Sequence, residues 1–208
     1  MTNLKSIILF GAAVLLISSC ASSYKNISPN SLNYGTTNSD SEVSLAYQTN
    51  VLSSSGNRKL AKKESRSYVK VVAVRIKNNS DETVIFGQDV ALKSGGTSLS
   101  TLTPQQISSE IKQNSASYLL FLLLTPMTLE VGNDDTGEID SYNIGYAVGP
   151  GLALLNMGIA AGANSSFRAE LETYNMMNRK IGPGETVYGL VGLSNFSFGN
   201  IELVDIRD

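Results

Sequence analysis

Histidine is absent from this 208-residue sequence. That absence excludes Ser-His-Asp and Cys-His catalysis and histidine-ligated zinc. Cysteine occurs once, so an intrachain disulfide cannot brace the fold. Charged residues are scarce, at 16% against 42% hydrophobic, a balance that suits a packed globular chain and not a disordered one. The formal charge is −2. No block of Lys or Arg is long enough to follow a phosphate backbone, which argues against nucleic acid as a partner. The length fits one good-sized domain with extensions.

What is present begins with an address. Lys5 supplies a short positive region, and Ile7 to Ile17, IILFGAAVLLI, follows as an apolar run. That run is too short for a membrane-spanning helix, which needs about 20 residues. It ends at Ile17-Ser18-Ser19-Cys20. An aliphatic residue, two small ones and then Cys resembles the lipobox of bacterial lipoproteins. The resemblance implies cleavage between Ser19 and Cys20, diacylglycerol on the Cys20 thiol and acylation of the freed amine. The competing reading is an ordinary secretory signal with a chance Cys near its cleavage site. Cys20 is the single cysteine, and a lipid is the simplest use for it. One acyl chain binds a membrane only marginally, at ~0.8 kcal/mol per buried CH₂, so two or three together make a lasting anchor. Removing residues 1–19 takes away one Lys and no acid, leaving 15 basic and 18 acidic residues and a balance of −3. After Cys20 comes Ala21, and no acid precedes Asp40. By the same resemblance this implies the periplasmic face of an outer membrane, with the membrane as partner through covalent lipid.

Residues 20–41, the lipidated Cys and a Ser- and Asn-rich stretch, read as a flexible tether reaching about 25 Å. Within it Leu32 to Tyr34 has the pattern of a short strand. Strand signals then begin in earnest: EVSLAYQ places Val43, Leu45 and Tyr47 on one face. Residues 57–66, NRKLAKKESR, hold five basic residues and one acid and read as a solvated hairpin loop or a lysine-protected sheet edge. A patch facing anionic lipid is the alternative. In SYVKVVAVRIK, Tyr68, Val72, Val74 and Ile76 share a face with Lys70. Val69, Val71 and Ala73 share the other with Arg75 and Lys77. Apolar residues on both faces predict a central strand covered on each side. NNSDE marks a turn, TVIF and VAL are further strands, and Pro183-Gly184 turns the chain into a strand from Thr186 to Leu193. IELVDI is the last. About seven short strands suggest an antiparallel sandwich. This order is similar to the immunoglobulin-like domains of secreted and lipid-anchored bacterial proteins, over roughly residues 42–99 and 180–206. The layout resembles bacterial lipoproteins of uncharacterised function that carry a helical insertion in such a domain. The implied fold is α+β: an antiparallel immunoglobulin-like β-sandwich over 42–208 with a helical insertion at about 100–179.

The insertion opens with a strong helix start, Thr103 as N-cap, Pro104 at the first helical position and Gln106 closing a capping box. A helix is expected from there to Pro126. Its second half, Tyr118, Leu119, Leu120, Phe121, Leu122, Leu123 and Leu124, is apolar all round and should be buried on every side. A second apolar stretch, Ile144 to Ala163, has Asn156 as its one strongly polar side chain and Pro150 as an interruption. Asn164 or Ser165 should cap a last helix bearing Phe167, Leu171, Tyr174 and Met177 (or Met176). Neither apolar stretch reads as a span: Ala116 to Leu124 would cover only about 14 Å as helix. The leading expectation is an internal seam of an inserted helical layer. Partial insertion into the leaflet, or contact with another chain or an apolar ligand, are the alternatives, with Tyr118 to Leu124 as the contact residues.

Chemistry is sparse. Asp134, Asp135, Glu138 and Asp140 could supply hard oxygen ligands, but their spacing does not match a calcium-binding loop, and a solvated connection is the expected role. No catalytic residue, metal or cofactor is therefore expected. The sequence points to a lipid-anchored envelope protein with a non-enzymatic interaction or structural role and an envelope protein as a further partner. A carrier or sensor of an apolar ligand is the alternative, and a hydrolase using acidic residues a weaker one.

Overall fold

The computed structural model describes residues 20–38, 42–132, 139–194 and 199–207; the expected leader, residues 1–19, lies outside them. The chain divides into two compact units. The larger comprises Tyr24–Gln113 with Ala163–Asp208, and the smaller comprises Asn114–Gly162 with the described residues up to Ser23.

In chain order the strands are β1 (Thr36–Asn38), β2 (Val43–Gln48), β3 (Val69–Asn78), β4 (Val84–Ile85), β5 (Val90–Ser94), β6 (Thr97–Ser98), β7 (Thr101–Leu102), β8 (Leu129–Gly132), β9 (Ile139–Tyr142), β10 (Lys180–Ile181), β11 (Thr186–Ser194) and β12 (Ile201–Asp205). The helices are α1 (Val51–Ser54), α2 (Arg58–Glu64), α3 (Pro104–Glu110) and α4 (Gly145–Thr173), with a 3₁₀ segment at Ser115–Leu124.

The larger unit is organised on β3. The main sheet runs β1-β2-β3-β11-β7, all antiparallel, and β3 pairs with β11 along its length, from Lys77 opposite Thr186 to Val69 opposite Ser194. The two-residue alternation of β3 then has its expected consequence. Val72, Val74 and Ile76 enter a core with Leu45, Phe86, Leu92 and Leu203. Val69, Val71 and Ala73 enter a second with Leu52, Leu60, Ile107, Phe167 and Leu171. One face of the sheet meets residues of the small sheets β12-β5-β6 and β10-β4, the other meets the helices. Each fully buried Val, Leu or Ile contributes about 1.5–3 kcal/mol, so a strand buried on both faces holds both cores at once. This is an α+β unit of antiparallel sheets, compatible with a sandwich whose insertion leaves after β7 and returns at β10.

Several expectations need correction. Residues 57–66 form no hairpin loop: α2 buries Leu60 and turns Glu64 inward, where its Oε1 accepts the Val71 N–H at 2.7 Å. Leu32 to Tyr34 is not a strand; the first strand lies at Thr36–Asn38. The stretch expected to be a flexible tether is packed from Tyr24 to Tyr34. Ile27 is buried, and Tyr24, Leu32 and Tyr34 lie against the same core. Glu170 on α4 accepts the backbone N–H groups of Ile27 (3.0 Å) and Ser28 (2.8 Å) and the Tyr24 hydroxyl. Distant partners fixed what composition alone reads as loose.

The insertion differs too. The capping box at Thr103 and Gln106 forms, but α3 stops after Glu110. There the backbone N–H and C=O of Gln113 bond the Asn164 side chain, at 2.7 and 2.9 Å. Asn164 is thereby used as a clamp and not as an N-cap, and α4 passes through it without a break. Pro150 lies inside α4, in its second turn, where it has no N–H for the carbonyl four residues earlier and its ring crowds that carbonyl. Of the two methionines considered, Met176 is the buried one. The ends of the acidic stretch lie in β8 and β9, which pair antiparallel with Leu129 opposite Tyr142 and Gly132 opposite Ile139. Asp134, Asp135 and Glu138 lie outside the described residues, while Asp140 sits in β9.

Candidate functional site: Cys20 and the apolar unit

The run at 115–124 explains the smaller unit. A 3₁₀ helix has three residues per turn, so Tyr118, Phe121 and Leu124 stack on one side. Tyr118 and Phe121 are each 7% exposed, with rings parallel to within 5° and centroids 6.2 Å apart. They share a core with Leu152, Ala153, Met157 and Ala160 of α4. Gly145 and Gly149 let the helix approach closely. A Cβ on Gly145 would collide with the backbone of Leu124, Thr125 and Met127, and one on Gly149 would lie 3.0 Å from the Phe121 carbonyl oxygen. The helix has two Gly-x-x-x-Gly spacings; Gly145/Gly149 is an internal contact, while Gly158 and Gly162 face open space.

The same period turns the remaining leucines outward. Leu119 and Leu122 are exposed, and Leu120 and Leu123 are 67% and 74% exposed. Burial on every side, the expected fate of this run, does not occur, because the unit offers only one packing face. Met127, Ile139, Tyr142, Tyr146, Val148, Leu154 and Leu155 are exposed as well. Of the thirteen exposed large hydrophobics among the described residues, eleven belong to this unit. Its sequence matches its surface. Residues 114–129 and 141–162 contain no Asp, Glu, Lys or Arg, and every acid of the unit lies between Glu130 and Asp140.

Cys20 belongs to this unit and is half-buried. The backbone N–H of Ala21 donates to Asn156 Oδ1 at 2.7 Å, and Asn156 Nδ2 donates to the Leu152 carbonyl at 2.8 Å. Asn156 is itself buried, so the one strongly polar side chain of the apolar stretch from Ile144 to Ala163 is satisfied from both ends. Ala21 packs on the core of Tyr118 and Phe121. The Tyr118 phenol is held above its ordinary pKa, first by burial and second by its neighbour Cys20. Sequence reasoning noted Asn156 only as the one strongly polar side chain of its stretch; a lone polar group in an apolar run was the available signal that something must bond it. Glu170 gave no signal, since its partners are more than 140 residues away.

Other features offer less chemistry. Among the described residues no group of three or more His, Cys, Asp or Glu could hold a metal ion. On the larger unit, Arg75 lies over the Tyr34 ring at 5.5 Å, beside an open depression of about 320 Å³ lined by Ser44, Lys77, Thr186 and Tyr188. Between the sheet and its helices, Ile107, Ile111, Phe167 and Leu171 fill the space. A hollow beside Leu102, Met176 and Leu190 measures about 10 Å³, room for one water at most. No described helix is long and apolar enough to cross a membrane. No family model, no curated protein and no solved structure matches this chain.

Proposed function

We propose that this is a lipid-anchored protein of a bacterial cell envelope, attached through Cys20 and acting in interaction or envelope structure, not catalysis. The single observation that carries the proposal is Ile17-Ser18-Ser19-Cys20 at the end of an apolar run, with Cys20 the sole cysteine. The placement of Cys20 within the unit that carries most of the exposed apolar side chains agrees with it. The larger unit takes the role of an immunoglobulin-like domain presenting its sheet and loops to an envelope partner. Ala21 and the lack of early acids favour the periplasmic face of an outer membrane. The filled space between sheet and helices favours this role over a carrier with an apolar cavity there.

Metabolic labelling with a palmitate analogue tests the proposal. The wild-type chain takes up label and Cys20→Ser does not. Equal labelling of both, or of neither, would remove Cys20 as the anchor.

A further inference from the structure

We infer that the smaller unit is itself a membrane-seating element. Its exposed leucines and tyrosines enter the headgroup and acyl boundary of the leaflet that holds the Cys20 lipid. The inference rests on the lipid-anchor proposal for its biological setting, but its physical basis is separate.

The attachment residue and the apolar side chains belong to one compact unit. Ala21 is hydrogen-bonded to Asn156 and packed on the Tyr118–Phe121 core, so no slack separates the acylated residue from the leucines. Acyl chains on Cys20 would hold this unit, on which Leu119, Leu120, Leu122 and Leu123 are exposed, within reach of the bilayer. Eleven of the thirteen exposed large hydrophobics among the described residues fall on this one small unit, a concentration that suits a binding face. What covers it must be apolar and must demand no charge complementarity, because residues 114–129 and 141–162 carry no ionisable Asp, Glu, Lys or Arg. A hydrocarbon boundary meets both conditions. Exposed Tyr142 and Tyr146 have the amphipathic rings that favour the interface. The helix is not long and apolar enough to span, so the unit lies in one leaflet. Attraction of the α2 lysines to anionic lipid would be screened by salt, whereas apolar insertion is not, so salt separates the two.

The test uses residues 20–208, which include every described residue, carrying Cys20→Ser so that no acyl chain assists. A second substitution, Leu120→Cys, then gives the only thiol, labelled with an environment-sensitive dye. Vesicles of phosphatidylethanolamine and phosphatidylglycerol are added, with and without spin-labelled lipid. The dye is expected to shift to the blue and to be quenched by the spin-labelled lipid, with binding little changed by high salt. Adding Leu123→Ser, Leu154→Ser and Leu155→Ser, all at exposed positions, should weaken binding about tenfold or more for each leucine that reaches full depth. The circular dichroism should stay unchanged. A dye that remains in water at saturating vesicle concentration overturns the inference. So does a blue shift without lipid that grows with protein concentration, which would assign the surface to a second copy of the chain. Binding abolished by salt would assign it to the basic helix. The acyl mass on wild-type Cys20 is read independently, so failure of the anchor and failure of the seating surface are separate results.

Discussion

Asn156 and Ala21 lie 135 residues apart, yet the Asn156 side chain receives the Ala21 backbone N–H at 2.7 Å. That bond fixes the residue after Cys20 to the middle of α4. Asn156→Ala leaves the half-buried Ala21 N–H without its acceptor, which costs about 1 kcal/mol. The expected outcome is faster amide exchange and proteolysis at residues 20–23, while Asn143→Ala, at an exposed site, changes neither.

The glycines of α4 divide by what surrounds them. Gly145→Ala should destabilise by about 1–3 kcal/mol, the usual cost of overpacking, because its Cβ meets backbone that cannot turn aside. Gly158→Ala meets open space and should stabilise the helix by up to about 1 kcal/mol. Urea denaturation of the two variants beside wild type checks the opposite signs.

Glu170 ties the front of the larger unit to α4 through Tyr24, Ile27 and Ser28. Burial first, and then the Glu170 carboxylate, hold the Tyr24 phenol far above its ordinary pKa. Glu170→Ala is expected to cost about 2–3 kcal/mol, as a charged acceptor of several bonds is lost. Tyr24→Phe should cost about 1 kcal/mol. If residues 24–34 really were a loose tether, neither substitution would move the unfolding midpoint.

Burial raises the Glu64 pKa above its ordinary 4.5, against the lowering effects of the Val71 N–H and Lys70. The folded state therefore holds the Glu64 proton more tightly than the unfolded state does. The stability Glu64 contributes is full below its unfolded value and is lost as pH rises through the folded one. Glu64→Gln can keep the Val71 bond without the charge. It should flatten the slope of stability between acid and neutral pH and be no less stable than wild type at about pH 7. Unfolding midpoints across that range decide; a variant that loses most ground at neutral pH would contradict the sign.

What could be read beforehand was local. Thr103, Pro104 and Gln106 cap a helix through atoms three residues apart, so the motif suffices. The alternation through Val69 to Ile76 announces two buried faces without saying what covers them. Tyr118 to Leu124 misled for a physical reason. An all-apolar run has no contrast between faces, so its three-residue period was invisible, and hydrophobicity alone implied burial on every side where the unit packs only one. Asn164 and Glu170 were opaque for another reason. Each side chain bonds backbone far along the chain, and only the fold brings those partners together.

The central claim is that Cys20 carries the lipid that holds this protein at a membrane. Intact-mass spectrometry of the full-length chain expressed in a lipoprotein-processing bacterium and purified from its membranes tests it most directly. The account predicts a polypeptide beginning at Cys20 with the added mass of a diacylglycerol and an amide-linked acyl chain. A chain that starts elsewhere, or starts at Cys20 with no added mass, would contradict it.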